Sequence, residues 1–431
     1  MSSIDDRPVT TAGTLSSTAD LEPWEYFDTL LDEGGIVWDE QLGAWMVSSY
    51  DLIKEIGRKD DVLWENFALP PTADRPAPLG ISADDWVWFQ GFGSRRILTM
   101  IEGESHDHQH RWWMHAFSPR VLQHWRETLI RPIASRQIDR FVDRGQAELG
   151  NEFAERVAPR VIAALMGLPS GDDDGWVEHV KSLIDTRLRL KQLWGSGKPV
   201  TEEMLEEAFD ATRELFDIVR PYFEARRDGT GDDFISMIWR DAGEMFNGEY
   251  DDVDVFAVAV ASWEGGAGST PPSTANGIYM LLTVPGIQDQ IREGGEKVLR
   301  NFVEESLRIY GPLTFRPRIA KQDVELGRVT VKKGEQVYAL TLAGGHDGSH
   351  YSCPHQVDLA RPAPRDHFSF LQGPRTCPGQ GLARVELEEL TRVLLERLPD
   401  LRLDPAAAPP VYTGNLVRRW HPLNVLFTPG S

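Results

Sequence analysis

The chain has 431 residues, with 67 Asp and Glu against 45 Lys and Arg, and its formal charge of -22 argues against nucleic acid or an anionic membrane as the main partner. Its two cysteines, Cys353 and Cys377, are too few for a disulfide scaffold or a Cys-rich zinc site, which suits a reducing cytoplasm. No apolar run reaches about 18 residues and the start is acidic and polar, so neither a membrane span nor a signal peptide is expected.

Residues 1–20 read as a disordered lead and residues 21–431 as a single domain, because no linker, repeat or low-complexity stretch divides them. IVWDE and AWMVSS, apolar and rich in β-formers on either side of QLG, have the pattern of a hairpin. The aromatic loop PLGISADDWVWFQGFG follows, and its Trp86, Trp88, Phe89 and Phe92 suit either a small-molecule pocket or ordinary core. HDHQHRWWMHAF then opens a stretch of helical periodicity running to about residue 299. Within it His106 and His110 share a helical face, which fits a surface cluster or a metal site.

Deep in that stretch lies ASWEGGAGSTPPSTANGI, residues 261–278. Each interior glycine costs a helix roughly 1 kcal/mol and each interior proline roughly 3 kcal/mol relative to alanine, so a broken helix is expected. Pro271 and Pro272 lack an N–H, which frees the carbonyls of Ala267 and Gly268 to hold water. Further on, in NFVEESLRIYGP, Glu305 and Arg308 are spaced to pair on one helix, as many solvated surface pairs do. The strand-like DVELGRVTV and QVYALTLA come next.

The most informative segment is HFSFLQGPRTCPGQGLARVELEELTRVLLERL. Cys377 sits in a turn with Gly373, Pro374, Pro378 and Gly379, just before an amphipathic helix carrying Leu382, Val385, Leu390, Val393 and Leu394 on its apolar side. Backbone N–H groups in such a turn, together with a helix N-terminus, stabilise a thiolate, and the missing side chains let a flat ligand approach the backbone. Arg375 is placed to meet a carboxylate of that ligand. A lone cysteine in a turn is also compatible with an inert buried thiol.

Phe370, Gly373, Arg375, Cys377 and Gly379, standing as FxxGxRxCxG and continuing into GLARVE, resemble the haem-binding loop of the cytochrome P-450 family, the haem-thiolate monooxygenases. The upstream Glu305 and Arg308 resemble the family's ExxR pair, and Arg361 in VDLARPAP matches the arginine that joins it. The resemblance spans residue 20 to the C-terminus and implies a mainly α fold with minor β, with haem b between a long distal helix and the Cys-loop helix. It implies Cys377 as the iron ligand, with Glu305, Arg308 and Arg361 as scaffold. For the haem propionates it points to Arg318, His367, Arg375, His106 and His110, although the family usually has Arg where His110 stands and here Arg111 lies beside it.

By the same resemblance GGAGST, residues 265–270, lies on the distal helix, where Gly265 and Gly266 leave room at the haem face. The family's usual acid is replaced by Gly268 and its threonine by Ser269, followed by Thr270. Those two groups ordinarily organise proton delivery, so Ser269, Thr270, Gly268 and the nearby Glu264 are the expected catalytic positions. Glu264 has three readings: a glutamate neutralised by an unseen arginine, a substrate anchor, or a displaced proton donor. With Ala261, Trp86, Trp88, Phe89 and Phe92 it would frame a pocket for a mid-sized, aromatic or polycyclic substrate. Electrons would come from NAD(P)H through a reductase and a ferredoxin or flavodoxin docking near Arg111, Arg384 and Arg392. The missing acid also admits a peroxide-driven enzyme, or one catalysing oxidative coupling or rearrangement; a haem-binding protein without catalysis is the remaining alternative.

Overall fold

The computed structural model describes residues 7–71, 81–170, 174–193, 196 and 198–429. The expected hairpin is present. Strand β1 (Ile36–Asp39) pairs antiparallel with β2 (Ala44–Val47), Ile36 opposite Val47. The Asp39 carboxylate accepts the N–H groups of Gln41 and Leu42, both at 2.9 Å, and so closes the turn. Three further strands extend the sheet: β3 (Trp64–Asn66), β4 (Arg316–Ala320) and β5 (Gln336–Ala339), in the order β1-β2-β5-β4-β3, with only the β2–β5 pair parallel. Alternation along β4 puts Arg316 and Arg318 on one face.

Residues 7–20, expected to be disordered, are tied to this sheet. Val9 bridges to Trp38, Thr10 and Thr11 donate to the Glu33 carboxylate, and Leu15 is fully buried. The guanidinium of Arg7 lies 4.0 Å over the Trp38 ring, an attraction that composition alone does not display. Residues 1–6 and the PLG opening the aromatic loop lie outside the described residues.

Helices make up most of the chain. Those that frame the site are α1 (Ala83–Gly91), α2 (Gly103–Ala116), α3 (Glu155–Leu165), α4 (Asp174–Lys191), α5 (Asp252–Thr283), α6 (Ile287–Ile309) and α7 (Gln380–Arg397). The central one, α5, is apolar on nearly every side and buried through most of its length, as a helix crossing a core must be. Asp251 and Asp254 form a reciprocal cap at its start. Asp254 also accepts from Ser94 (2.6 Å) and Arg96 (3.0 Å), which fixes the segment after α1 against α5.

The expected break at residues 261–278 does not occur: α5 runs unbroken through Pro271 and Pro272. Pro271, Pro272, Ser273, Thr274 and Asn276 are all buried, and tertiary packing of this kind outweighs helix propensity. The backbone consequence stands, since the carbonyls of Ala267 and Gly268 have no helical N–H to accept. Among the described residues no helix is long and apolar enough to cross a membrane.

Candidate functional site

Glu305 and Arg308 lie on the last turns of α6, both shut off from solvent. Arg308 grips both carboxylate oxygens, at 2.8 and 2.9 Å, and donates to the carbonyls of Gly345, Pro354 and Gln356. Arg361 donates to the same carboxylate at 3.0 Å, as does the N–H of Asp358. One glutamate thus gathers two arginines and the meandering chain between 345 and 361, the segment that leads into the cysteine loop.

A neighbouring buried carboxylate does the same for the loop itself. Glu304 accepts from His367 (3.0 Å), Arg384 (2.6 Å) and Arg365 (3.1 Å), and although its burial opposes ionisation these partners hold it below the usual carboxylate range. His367 is therefore turned to Glu304, away from the cavities described next. Arg384 is consumed there too, with its guanidinium 4.4 Å over Phe370, and Arg392 is paired with Glu296 and Glu389. Of the arginines expected to dock an electron carrier, Arg111 alone is exposed.

The loop then turns Cys377 into the interior. Gly373 sits at φ +87°, where a Cβ would stand 2.0 Å from the Gly57 carbonyl oxygen, so glycine is required. The Cys377 N–H donates to the Phe370 carbonyl at 2.8 Å. Burial pushes the thiol up from its usual pKa, while the N–H groups of Gly379 and Gln380 and the charges of Arg316 and Arg384 pull the other way. A cation on the sulfur would complete what these donors begin, releasing the proton.

Two cavities of about 280 Å³ each adjoin at Cys377 and share Leu98, Thr99, Arg316, Leu371 and Pro378. One lies beneath α5, where Gly265, Gly266, Ser269 and Thr270 line it; it also reaches Phe370 and Gly379, and Ala261 forms part of its wall. A Cβ at Gly265 would meet nothing within 4 Å, whereas at Gly266 it would collide with Ile162 on α3. Ser269 donates to the Gly265 carbonyl at 2.8 Å. The second cavity is bordered by His106, His110, Arg318 and Arg375. Each of these is already engaged: Arg318 is held by Asp60, Arg375 by Asp61, and His110 bonds the Thr376 carbonyl at 2.7 Å. His106 lies 3.9 Å from Asp61, with burial and Arg375 lowering its pKa. Among the described residues no group of three or more His, Cys, Asp or Glu side chains is arranged to hold a metal ion.

Other expected residues are elsewhere. Glu264 and Gly268 face α4, not the cavity at Cys377: the Glu264 carboxylate meets Lys191 and lies 3.5 Å from Arg187. Burial works against its ionisation, but the two cations bring it below the usual range. This is the arrangement of a neutralised structural glutamate, the first of its three readings. Trp86 and Phe89 are core, with the Trp86 indole donating to the Ala68 and Leu69 carbonyls; Phe92 packs under Arg187, and Trp88 is 42% exposed. None of these four aromatics lines either cavity.

Two wall residues escaped the sequence reading. Glu386, 1% exposed, lines the cavity under α5 with an unpartnered Oε1, and burial pushes its pKa up to about 8. Its signal was a glutamate four residues after Leu382 and four before Leu390, on the apolar stripe of α7. Arg316 is the other, and the RPR alternation on β4 would have paired it with Arg318. Because the folded chain holds Glu386 protonated between about pH 4.5 and 8 while the unfolded chain does not, its contribution to stability falls as pH rises through that window. Glu386→Gln is therefore expected to match the parent near pH 5 and to exceed it by on the order of a few kcal/mol near pH 8. Thermal unfolding at the two pH values checks this; a difference that does not change with pH contradicts it.

The residues fit a haem. The orphaned Trp113 Nε1 lies on the wall of the same cavity as Cys377, and Arg316 has no carboxylate partner among the described residues. A flat group with acid arms supplies what these lack.

Comparison with known proteins agrees. A family model described as Cytochrome P450 matches residues 174–411. The mycinamicin IV hydroxylase/epoxidase of Micromonospora griseorubida is 31% identical over 312 residues, 71% of this chain and 73% of that protein. A biotin biosynthesis cytochrome P450 of Bacillus subtilis is 28% identical over 399 residues, 90% of this chain and 93% of the other. Among solved structures, P450BioI in complex with a hexadec-9Z-enoic acid ligated acyl carrier protein superposes with a TM-score of 0.79 at 24% identity, covering 94% of this chain and 98% of that one.

Proposed function

The chain belongs to the cytochrome P450 family of monooxygenases, and from that premise we propose that Cys377 is its haem-iron ligand and that it oxidises an apolar small molecule held in the adjoining cavities. The observation that carries this reading is the position of the Cys377 sulfur. It is common to both cavities, at the N-terminus of α7, opposite the glycine face of α5.

A haem held by thiolate supplies reductive oxygen activation. The protein's own groups do the rest. The N–H groups of Gly379 and Gln380 steady the sulfur, and Phe370 and Gly373 shape the loop around it. Gly265 leaves the α5 wall of the cavity open to a group bound there. Ser269 and Thr270 hand on protons through water, a general-acid task for which Gly268 offers no carboxylate. Glu264 anchors α4 to α5 by its two ion pairs. The apolar wall, with Val258, Leu98, Leu165 and Phe315, sets the substrate class. Oxidation of hydroxylation or epoxidation type is supported by the likeness to the mycinamicin IV hydroxylase/epoxidase. Electrons arrive from NAD(P)H through a reductase and a ferredoxin or flavodoxin, and the described residues from 7 onward act as one domain.

The absence of a free carboxylate on this face of α5 favours one second reading, a peroxide-driven enzyme. Turnover of an apolar substrate under isotope-labelled dioxygen, with NADPH, reductase and ferredoxin, decides between them. Label in the product is the expected result. Product formed with hydrogen peroxide and not with the reductase chain overturns the monooxygenase reading in favour of the second.

A further inference from the structure

The two cavities meet at Arg316, a cation with no carboxylate partner among the described residues. Arg316 opens strand β4, where pairing with Ala339 of β5 fixes its backbone. Its one hydrogen bond is from Nη1 to the carbonyl of its own neighbour Phe315, at 3.1 Å, which leaves most of the guanidinium's donors unassigned. Burial and the nearby Arg318 depress its pKa to about 10, with the Cys377 sulfur pulling the other way. The other cations are differently placed. Arg318 spends three contacts on Asp60, at 2.8, 3.0 and 2.7 Å. Arg375 is held by Asp61 and by the Ile101 carbonyl. His110 donates its Nε2 proton to the Thr376 carbonyl.

We propose that Arg316 is a built carboxylate site, holding an acid group at the junction of the two cavities. This rests on the reading of Cys377 as haem ligand. The acid has two sources with one chemistry: a haem propionate, or the carboxylate of an otherwise apolar substrate. Arginine's planar fork suits either, because it meets both oxygens of a carboxylate at once. The surrounding wall, with Phe315, Leu98, Leu371 and Leu416, suits an aliphatic chain behind the acid.

The test uses haem-loaded protein whose reduced, carbon monoxide-bound form shows the red-shifted Soret band of thiolate ligation. If the parent lacks that band, the haem-thiolate reading fails before Arg316 is examined. Parent, Arg316→Met and Arg316→Lys are each titrated with decanoic acid and with 1-decanol, following iron spin state, and each is assayed for haem transfer to apomyoglobin. A substrate carboxylate predicts at least tenfold weaker decanoic acid binding in Arg316→Met, unchanged decanol binding and unchanged haem transfer. A propionate predicts at least tenfold faster haem transfer with no change in the ratio of acid to alcohol affinity. Arg316→Lys keeps a point charge without the fork and is expected to show a smaller loss in the same measurement. It also supplies the comparison if the methionine variant does not fold. Unchanged haem transfer and unchanged acid preference in spectrally normal variants overturn the proposal.

Discussion

Glu305→Ala is expected to leave no haem-loaded, folded protein to assay. The substitution strands Arg308 and Arg361, both buried, with their shared carboxylate gone, and removes the acceptor of the Asp358 N–H. Removing one partner of a buried pair typically costs about 3–5 kcal/mol, and here two arginines lose theirs. Total stabilities are about 5–15 kcal/mol, so the loss is a large fraction of what holds the fold. The damage is also directed, because Arg308 organises the carbonyls of Gly345, Pro354 and Gln356, next in sequence to the cysteine loop. Glu305→Gln, which keeps an acceptor but no charge, is expected to be intermediate. Haem content of purified protein and its thermal unfolding report the result. Stable, fully loaded Glu305→Ala protein contradicts the assignment of Glu305 as the keystone of this region.

The parts of this site that were legible in the sequence are those in which local chemistry and function coincide. A cysteine flanked by glycines and prolines ahead of an amphipathic helix states a turn and a helix N-terminus directly. An acid and an arginine three residues apart state a pair. What the sequence does not state is the partner of a buried charge when that partner is far along the chain. Glu264 offers a carboxylate in an apolar helix, and whether it faces substrate or an ion pair depends on Arg187 and Lys191, more than 70 positions away. Arg318 and Arg375 read as anion binders until Asp60 and Asp61 are seen beside them. The aromatic cluster of α1 was ambiguous for a related reason: Trp86, Phe89 and Phe92 have the same side chains whether they line a pocket or fill a core. The double proline misled in the opposite direction. Propensity is a local cost, and the burial of residues 270–278 outweighs it, so the helix continues while two carbonyls lose their partners.

Cys377 carries the central claim. Cys377→Ser replaces sulfur by a weaker, harder oxygen ligand while preserving side-chain shape, the turn at Gly373 and the N–H groups of Gly379 and Gln380. Loss of thiolate electron donation removes the push that favours O–O cleavage, so turnover is expected to fall to background even if haem is retained. The most direct measurement is the visible spectrum of the reduced, carbon monoxide-bound protein, parent against Cys377→Ser, at equal haem content. Thiolate ligation by Cys377 predicts the red-shifted Soret band in the parent and its absence in the serine variant; the same band persisting in Cys377→Ser would contradict it.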